Sequence, residues 1–210
     1  LREDMQESAY SIILNSDKPL LADAEGCYAA KRWLLQAGGS AGRFVLLTPH
    51  MGEFARLAEV PLDDVVTSPE EHAIQLAASL SCWILLKSSS TFLATPSGYI
   101  LRPPSGSPSL AKGGSGDVLA GAIAARTAVA VRATATYNSP YSQGYLTLDY
   151  YEYFPARLQG EHQAYIEGVM RGYAIFAEAS HSAAKLAGSE ESVFATEVAE
   201  LLNIETDWRN

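Results

Sequence analysis

The apolar positions alternate between two periods along the chain. Met5, Ala9, Ile12 and Ile13 recur at helical spacing within residues 1–14, and Lys18-Pro19 ends that stretch before a short apolar strand running from Leu20 into Asp23. Residues 25–37 read as a helix closed by Gly38-Gly39, Arg43 to Leu47 as a strand, and Phe54, Leu57 and Ala58 as the apolar face of the next helix. Ser68-Pro69-Glu70-Glu71 has the form of a capping box with Pro at the first helical position, and Ala73, Leu76, Ala77 and Leu80 supply a buried stripe. Cys82 to Lys87 is an unbroken apolar run, the pattern of a strand covered on both faces. Strand, helix, strand, helix, strand in this order predicts a mostly parallel α/β layer structure. Residues 91–95 and 98–102, around Pro96-Ser97-Gly98, add a hairpin at the sheet edge.

From residue 103 the pattern changes. A stiff loop, Arg102-Pro103-Pro104-Ser105-Gly106-Ser107-Pro108-Ser109, leads into Lys112-Gly113-Gly114-Ser115-Gly116-Asp117 and then a small apolar run, Val118 to Ile123. This is a glycine-rich turn feeding a helix. After Arg126 the helical pattern is interrupted, and residues 128–165, with a tyrosine-rich run from Tyr145 to Tyr153, read as an insertion in a single domain spanning 1–210. It offers either an association surface or local packing. Glu167 to Leu186 is a long helix ending near Gly188, and Phe194, Val198, Leu201 and Leu202 mark a last one. His162 and His181 have no partner spacing.

Length and charge narrow the function classes. The 210 residues suffice for a full core, and 15 basic against 24 acidic residues give a net charge of −9, which argues against nucleic acid or an anionic membrane as partner. Cys27 and Cys82 are too isolated for a disulfide framework or a zinc site, so a reducing cytoplasm is expected. There is no apolar run of membrane-spanning length and no signal peptide in Leu1-Arg2-Glu3-Asp4. The first residue is not Met, which suggests a processed chain, a fragment or a missing beginning.

Candidate chemistry gathers at the corners. Amides in the first turn of a helix attract anions, so Gly113, Gly114, Ser115 and Gly116 suit a phosphate. Asp117 beside them is either a helix cap or a general base taking a proton from a hydroxyl. Asp23, His50 with Glu53, and Lys87 each follow a strand, where ligands of open parallel sheets collect, although loop or capping roles serve Asp23, His50 and Glu53 equally well.

Four ordered stretches resemble one family, the NAD(P)H-hydrate dehydratases of ribokinase-like fold. Pro19 to Ala24 is similar to a strand ending in a DAD-type segment, Leu47-Thr48-Pro49-His50-Met51-Gly52-Glu53 to LTPHPGE, Leu86-Lys87 to an LKG corner, and Leu110 to Gly121 to LATGGSGDVLAG. The resemblance covers about residues 1–126 and 166–202 and implies a three-layer fold with a mostly parallel central sheet flanked by helices. It implies an activity too: hydrated NADH or NADPH loses water after ADP or ATP phosphorylates its hydroxyl, giving NADH or NADPH. Asp117 would be the proton acceptor, Gly114, Ser115 and Gly116 the frame around the phosphoryl group, and His50, Gly52 and Glu53, with Asp23, the hydrate side, His50 and Glu53 matching the motif that lines the hydrate and metal side. Lys87, Lys112 and Gly113 would lie on the nucleotide side, and Mg²⁺ would ride on the nucleotide phosphates, with no dedicated protein ligands. Met51, Ser88, Lys112 and Ser107-Pro108-Ser109 depart from the family pattern, and the usual first third of the fold has no counterpart before Leu1. A sheet edge left open in this way would favour a homo-oligomer. A small-molecule kinase of the same superfamily, and a catalytically silent nucleotide-binding domain, are the alternative readings.

Overall fold

A computed structural model of the chain describes residues 2–135 and 162–202. The chain divides into two compact units, Leu1–Ser105 and Gly106–Asn210. The tyrosine-rich run from Tyr145 to Tyr153 falls outside the described residues.

The first unit is a five-stranded mixed sheet with helices. Helix α1 (Arg2–Leu14) is followed by β1 (Leu20–Ala22), α2 (Glu25–Ala37), β2 (Val45–Leu47), α3 (Met51–Ala58), α4 (Leu62–Thr67), α5 (Pro69–Leu80) and β3 (Trp83–Leu86). The antiparallel strands β4 (Phe92–Ala94) and β5 (Ile100–Leu101) complete the sheet. The order is β1-β2-β3-β4-β5, with β1, β2 and β3 parallel and the last two pairings antiparallel. The apolar runs behave as their period dictates: Val45, Leu46 and Leu47 are fully buried, as are Ile84, Leu85 and Leu86, because both sheet faces are covered. Cys27, Leu34, Phe54, Leu57, Val65 and Ala77 complete that core.

Burial at roughly 25 cal/mol per Å² makes each fully covered Leu or Ile here worth about 2 kcal/mol. Helix α2 ends where Gly38 takes φ +71°, a left-handed cap that returns the chain toward β2. The capping box expected at Ser68 does not form. Ser68 adopts φ −136° and ψ 61° with no side-chain bond to the helix, because it also closes α4, its amide donating to the Asp64 carbonyl. Pro69 at the first position of α5 provides the start instead.

The second unit is helical. A 3₁₀ turn (Pro108–Leu110) precedes α6 (Ser115–Ala135), which runs past the interruption expected after Arg126. Helix α7 (Gln163–Ala187), a second 3₁₀ turn (Glu190–Ser192) and α8 (Ala195–Leu201) follow. Helices α6 and α7 run antiparallel in very close contact, since a Cβ added at Gly168 would lie 2.3 Å from Thr127 Cα, and one at Gly172 2.5 Å from Ile123 Cα. Only glycine at these two positions allows the backbones to approach so closely. Leu119, Ile123, Ile166, Val169, Phe176 and Val198 fill the interior.

Candidate functional site

Three parallel strands deliver polar groups to one end of the sheet. The register pairs Ala22 with Leu47, so the next residues, Asp23 and Thr48, emerge side by side. Beyond β2 and β3 a further bridge joins His50 to Lys87, with the Lys87 amide donating to the Pro49 carbonyl at 2.9 Å. The Lys87 ammonium donates to Asp23 Oδ1 at 2.6 Å, and the Thr48 hydroxyl donates to the same oxygen at 2.8 Å. The side chains of Lys87 and Asp23 are 19% and 18% exposed, so this ion pair is partly desolvated while its edge still meets solvent. Asp23 and Lys87, far apart in sequence, thus share one corner.

Thr48 escaped the sequence reading. Its side chain is buried and lies within reach of both the Ala22 carbonyl, at 3.2 Å, and the Asp23 carboxylate. A hydroxyl directly after a buried strand and before a Pro was the available signal. It ties the ends of β1 and β2 together at the residue that carries the charge.

His50 and Glu53 form the capping box that the sequence reading sought at Ser68. The Nδ1 of His50 accepts from the amides of Gly52 and Glu53 at 3.1 and 3.3 Å, and the Glu53 carboxylate accepts from the His50 amide at 2.9 Å. With Nδ1 occupied as an acceptor, the ring proton of neutral His50 sits on Nε2, 3.4 Å from the second Glu53 oxygen. The imidazole is 56% exposed and Glu53 only 13%, so His50 presents its outer edge to solvent while Glu53 lies beneath it. Gly52 makes room for this fold-back, since a Cβ there would stand 3.2 Å from His50 Cε1. Met51 occupies the first position of α3, where Pro is also at home, so this departure from the family motif keeps the helix start.

Two thiols lie beneath the corner's sheet. Burial pushes both Cys27 and Cys82 up to about 12, and the Cys27 Sγ–H donates to the Ala22 carbonyl. They are inert at neutral pH.

In the second unit the glycine turn opens α6. Gly114 takes φ +88°, and the chain then enters the helix with the Ser115 amide bonded to the Lys112 carbonyl at 3.3 Å. Among the described residues the amides of Gly116 and Asp117 meet no protein acceptor, and the Asp117 side chain is exposed in the same turn. Ser115 is buried and Gly113 is open. Lys112, from its place beside the glycines, turns away toward the chain after α7. Its ammonium donates to the carbonyls of Glu190, Glu191 and Val193, with the Val193 bond at 2.7 Å. Further along α6 a cavity of about 370 Å³ is walled by Ala122, Ala125, Arg126, Val129 and Ile175. No helix among the described residues is long and apolar enough to cross a membrane.

Comparison with known proteins supplies a frame for this geometry. Residues 1–148 match the family model described as NAD(P)H-hydrate dehydratase. The ADP-dependent (S)-NAD(P)H-hydrate dehydratase of Bacillus subtilis is 38% identical over 117 residues, covering 56% of this chain and 40% of the relative. The chain spans less than half the length of the curated relatives it matches. A crystal structure of the ADP/ATP-dependent NAD(P)H-hydrate dehydratase from Bacillus subtilis, co-crystallized with ATP/Mg²⁺ and soaked with CoA, superposes with a TM-score of 0.62 at 27% identity, covering 91% of this chain and 57% of that one. A ribokinase-like superfamily protein from Enterococcus faecalis superposes with a TM-score of 0.63 at 21% identity over 95% of this chain and 56% of its own, which shows the shared fold.

Proposed function

The chain belongs to the NAD(P)H-hydrate dehydratase family, and from that premise we propose that it converts hydrated NADH or NADPH back to NADH or NADPH at the expense of ADP or ATP. The observation that carries the reading is the start of α6: an exposed carboxylate, Asp117, in the same turn as two amides with no protein acceptor among the described residues. An anion is drawn to those amides by their unpaired N–H groups and the helix dipole. A carboxylate beside it is then useful as a base.

In the proposed reaction the hydrate's hydroxyl oxygen attacks the terminal phosphoryl group, the bond from phosphorus to the departing nucleotide breaks, and the hydroxyl proton passes to Asp117. The carbon–oxygen bond of the phosphate ester then breaks, inorganic phosphate departs with the bonding pair, and the ring gives up a proton to water to restore the reduced nicotinamide. Gly114, Ser115 and Gly116 frame the phosphoryl oxygens, with Gly113 at the approach. Asp23, His50, Gly52 and Glu53 serve the hydrate, and Lys87 holds Asp23 in place as its ion-pair partner.

Magnesium fits as a companion of the nucleotide. Among the described residues no group of three or more His, Cys, Asp or Glu side chains is placed to hold a metal. When bound with the nucleotide, the ion would neutralise charge on the transferred group through the phosphate oxygens.

The test follows the rise in near-ultraviolet absorbance of reduced nicotinamide, with purified hydrated NADH, magnesium and ADP or ATP. A nucleotide-dependent rise that is lost in Asp117→Asn, with nucleotide binding retained, supports the reading. Undiminished turnover in that variant refutes the role of Asp117, and a stable phosphorylated product in place of NADH marks a kinase.

A further inference from the structure

Lys112 stands immediately before the glycine turn, where a cation invites assignment to phosphate. The geometry points elsewhere: we propose that Lys112 is a positioning residue, fastening the glycine turn to the segment between α7 and α8, so that the amides ahead of Asp117 are held in their anion-receiving arrangement. This rests on the proposed role of that turn.

Several bonds converge on the same contact. An ammonium has three protons, and Lys112 Nζ has three carbonyl acceptors, those of Glu190, Glu191 and Val193. The Phe194 ring lies 5.9 Å from the same nitrogen. The loop ahead of the turn is tied to the same segment, since the Ser107 hydroxyl donates to Glu190 Oε1 at 3.2 Å. That hydroxyl also accepts from the Ser109 amide at 3.1 Å, which shapes the 3₁₀ turn leading to Lys112. The Ser107 amide donates in turn to Ser180 Oγ on α7, at 3.0 Å and fully buried. Gly114 completes the contact from the other side: a Cβ built there would lie 3.2 Å from the Ala195 Cβ. The turn is therefore gripped at Lys112 and Gly114, on the residues that lead into the amides in question.

Two of the carbonyls held by Lys112, those of Glu190 and Glu191, belong to the 3₁₀ turn, and the third, that of Val193, lies in the extended residue that follows it, so the lysine supplies donors to main-chain acceptors that a single turn leaves without helical partners. A phosphate ligand at this position would have to give up those bonds. A positioning lysine keeps them, and its influence on the anion is exerted through the main chain of Gly113 and Gly114.

Hydrogen exchange, ADP binding and turnover test this on the whole chain, with Lys112→Met, Lys112→Arg, Ser107→Ala and the Lys112→Met/Ser107→Ala double variant. In Lys112→Met the amides of 113–117 and 189–194 are expected to exchange faster together, with those of the sheet unchanged, and Lys112→Arg to restore protection because it too donates to carbonyls. Turnover is expected to fall by about tenfold or more through misplacement of the turn. The dependence of magnesium-ADP affinity on salt should keep its wild-type slope, because no phosphate contact is removed. The double variant should lose little more than the worse single one, since both act on one contact. Unchanged exchange in Lys112→Met, or a flattened salt dependence with turnover otherwise intact, would overturn the proposal and return Lys112 to the phosphate. Exchange needs neither nucleotide nor hydrate, so a wild-type protein that binds ADP yet makes no NADH would sink the dehydration reading and leave this one standing on its own result.

Discussion

Gly172→Ala is the substitution whose outcome the helix pair fixes most tightly. The added Cβ would stand 2.5 Å from Ile123 Cα, 2.9 Å from Ile123 N and 3.0 Å from the Ala122 carbonyl oxygen. All three are main-chain atoms of α6, so no rotamer change relieves the clash, and the helices must part by about 1 Å to reach ordinary carbon–carbon contact. Overpacking of this kind costs about 1–3 kcal/mol, while replacing Gly by Ala inside a helix returns about 0.8–1 kcal/mol of intrinsic propensity. The net expectation is a loss of up to about 2 kcal/mol, which for a chain of this size lowers the melting midpoint by up to roughly 8 °C. Gly121→Ala supplies the control, because it lies in α6 and, among the described residues, no atom outside its own helix backbone comes within 4 Å of its added Cβ. There the propensity term acts alone and the midpoint should rise by a few degrees, about 0.5–1 kcal/mol. Thermal and urea unfolding of the two variants beside the wild type measure the difference. A Gly172→Ala protein as stable as Gly121→Ala would refute the claim that α6 and α7 meet backbone to backbone.

His50→Asn should keep the start of α3, since Asn is a good N-cap, while His50→Ala should lose about 1 kcal/mol, both read by urea unfolding; equal losses would count against the imidazole as cap. Thr48→Val, nearly isosteric, removes a buried hydroxyl from Asp23 and the Ala22 carbonyl and should cost about 1–2 kcal/mol, with unchanged stability counting against the bond. The thiols make an alkaline prediction. Cys27 and Cys82 are raised from 9.0 to about 12 by burial, so above pH 9 the unfolded chain loses protons that the folded chain retains, and stability falls as pH rises toward 12. The slope is up to about 1.4 kcal/mol per pH unit for each thiol, and Cys27→Ala should flatten it in unfolding curves taken across that window.

The apolar strands were legible because their signal is local. Val45–Leu47 and Trp83–Leu86 announce buried parallel strands by composition alone, and Pro19 and Gly38 mark the start of β1 and the end of α2. The corner residues were legible as candidates, since Asp23, His50 and Lys87 each follow a strand, but the ion pair between Asp23 and Lys87 was not. It depends on the register of three strands, which is a long-range property. Capping was misplaced for a related reason. Ser68-Pro69-Glu70-Glu71 has the right letters, yet Ser68 also serves the end of α4, and a residue shared by two helices cannot take the extended conformation an N-cap needs. His50 lies outside the usual preferences and capped α3 nonetheless, with Glu53 three residues on as the recognisable half of the box. The close approach of α6 and α7 was written in Gly168 and Gly172, four residues apart on one helix face, but glycines at that spacing say nothing until a partner backbone is seen opposite them.

The electrostatics of the two units differ in a way that bears on the proposed chemistry. At the strand corner each carboxylate already has a partner: Asp23 takes Lys87 and Thr48, and Glu53 takes the His50 amide. In such a corner the carboxylates are already held by donors, Asp23 by a cation and Glu53 by an amide, and their remaining lone pairs can orient hydroxyl and amide groups of a substrate by hydrogen bonds. At the start of α6 the balance is reversed: among the described residues the main-chain donors are open and Asp117 is exposed beside them, so an arriving anion gains donors while the carboxylate is left to take the proton of an attacking hydroxyl. On this reasoning Asp117→Asn should bind magnesium-ADP at least as tightly as the wild type, since a negative neighbour has been removed, while losing turnover; weaker ADP binding in that variant, measured by calorimetry, would place Asp117 among the groups that hold the nucleotide and not the one that accepts the proton.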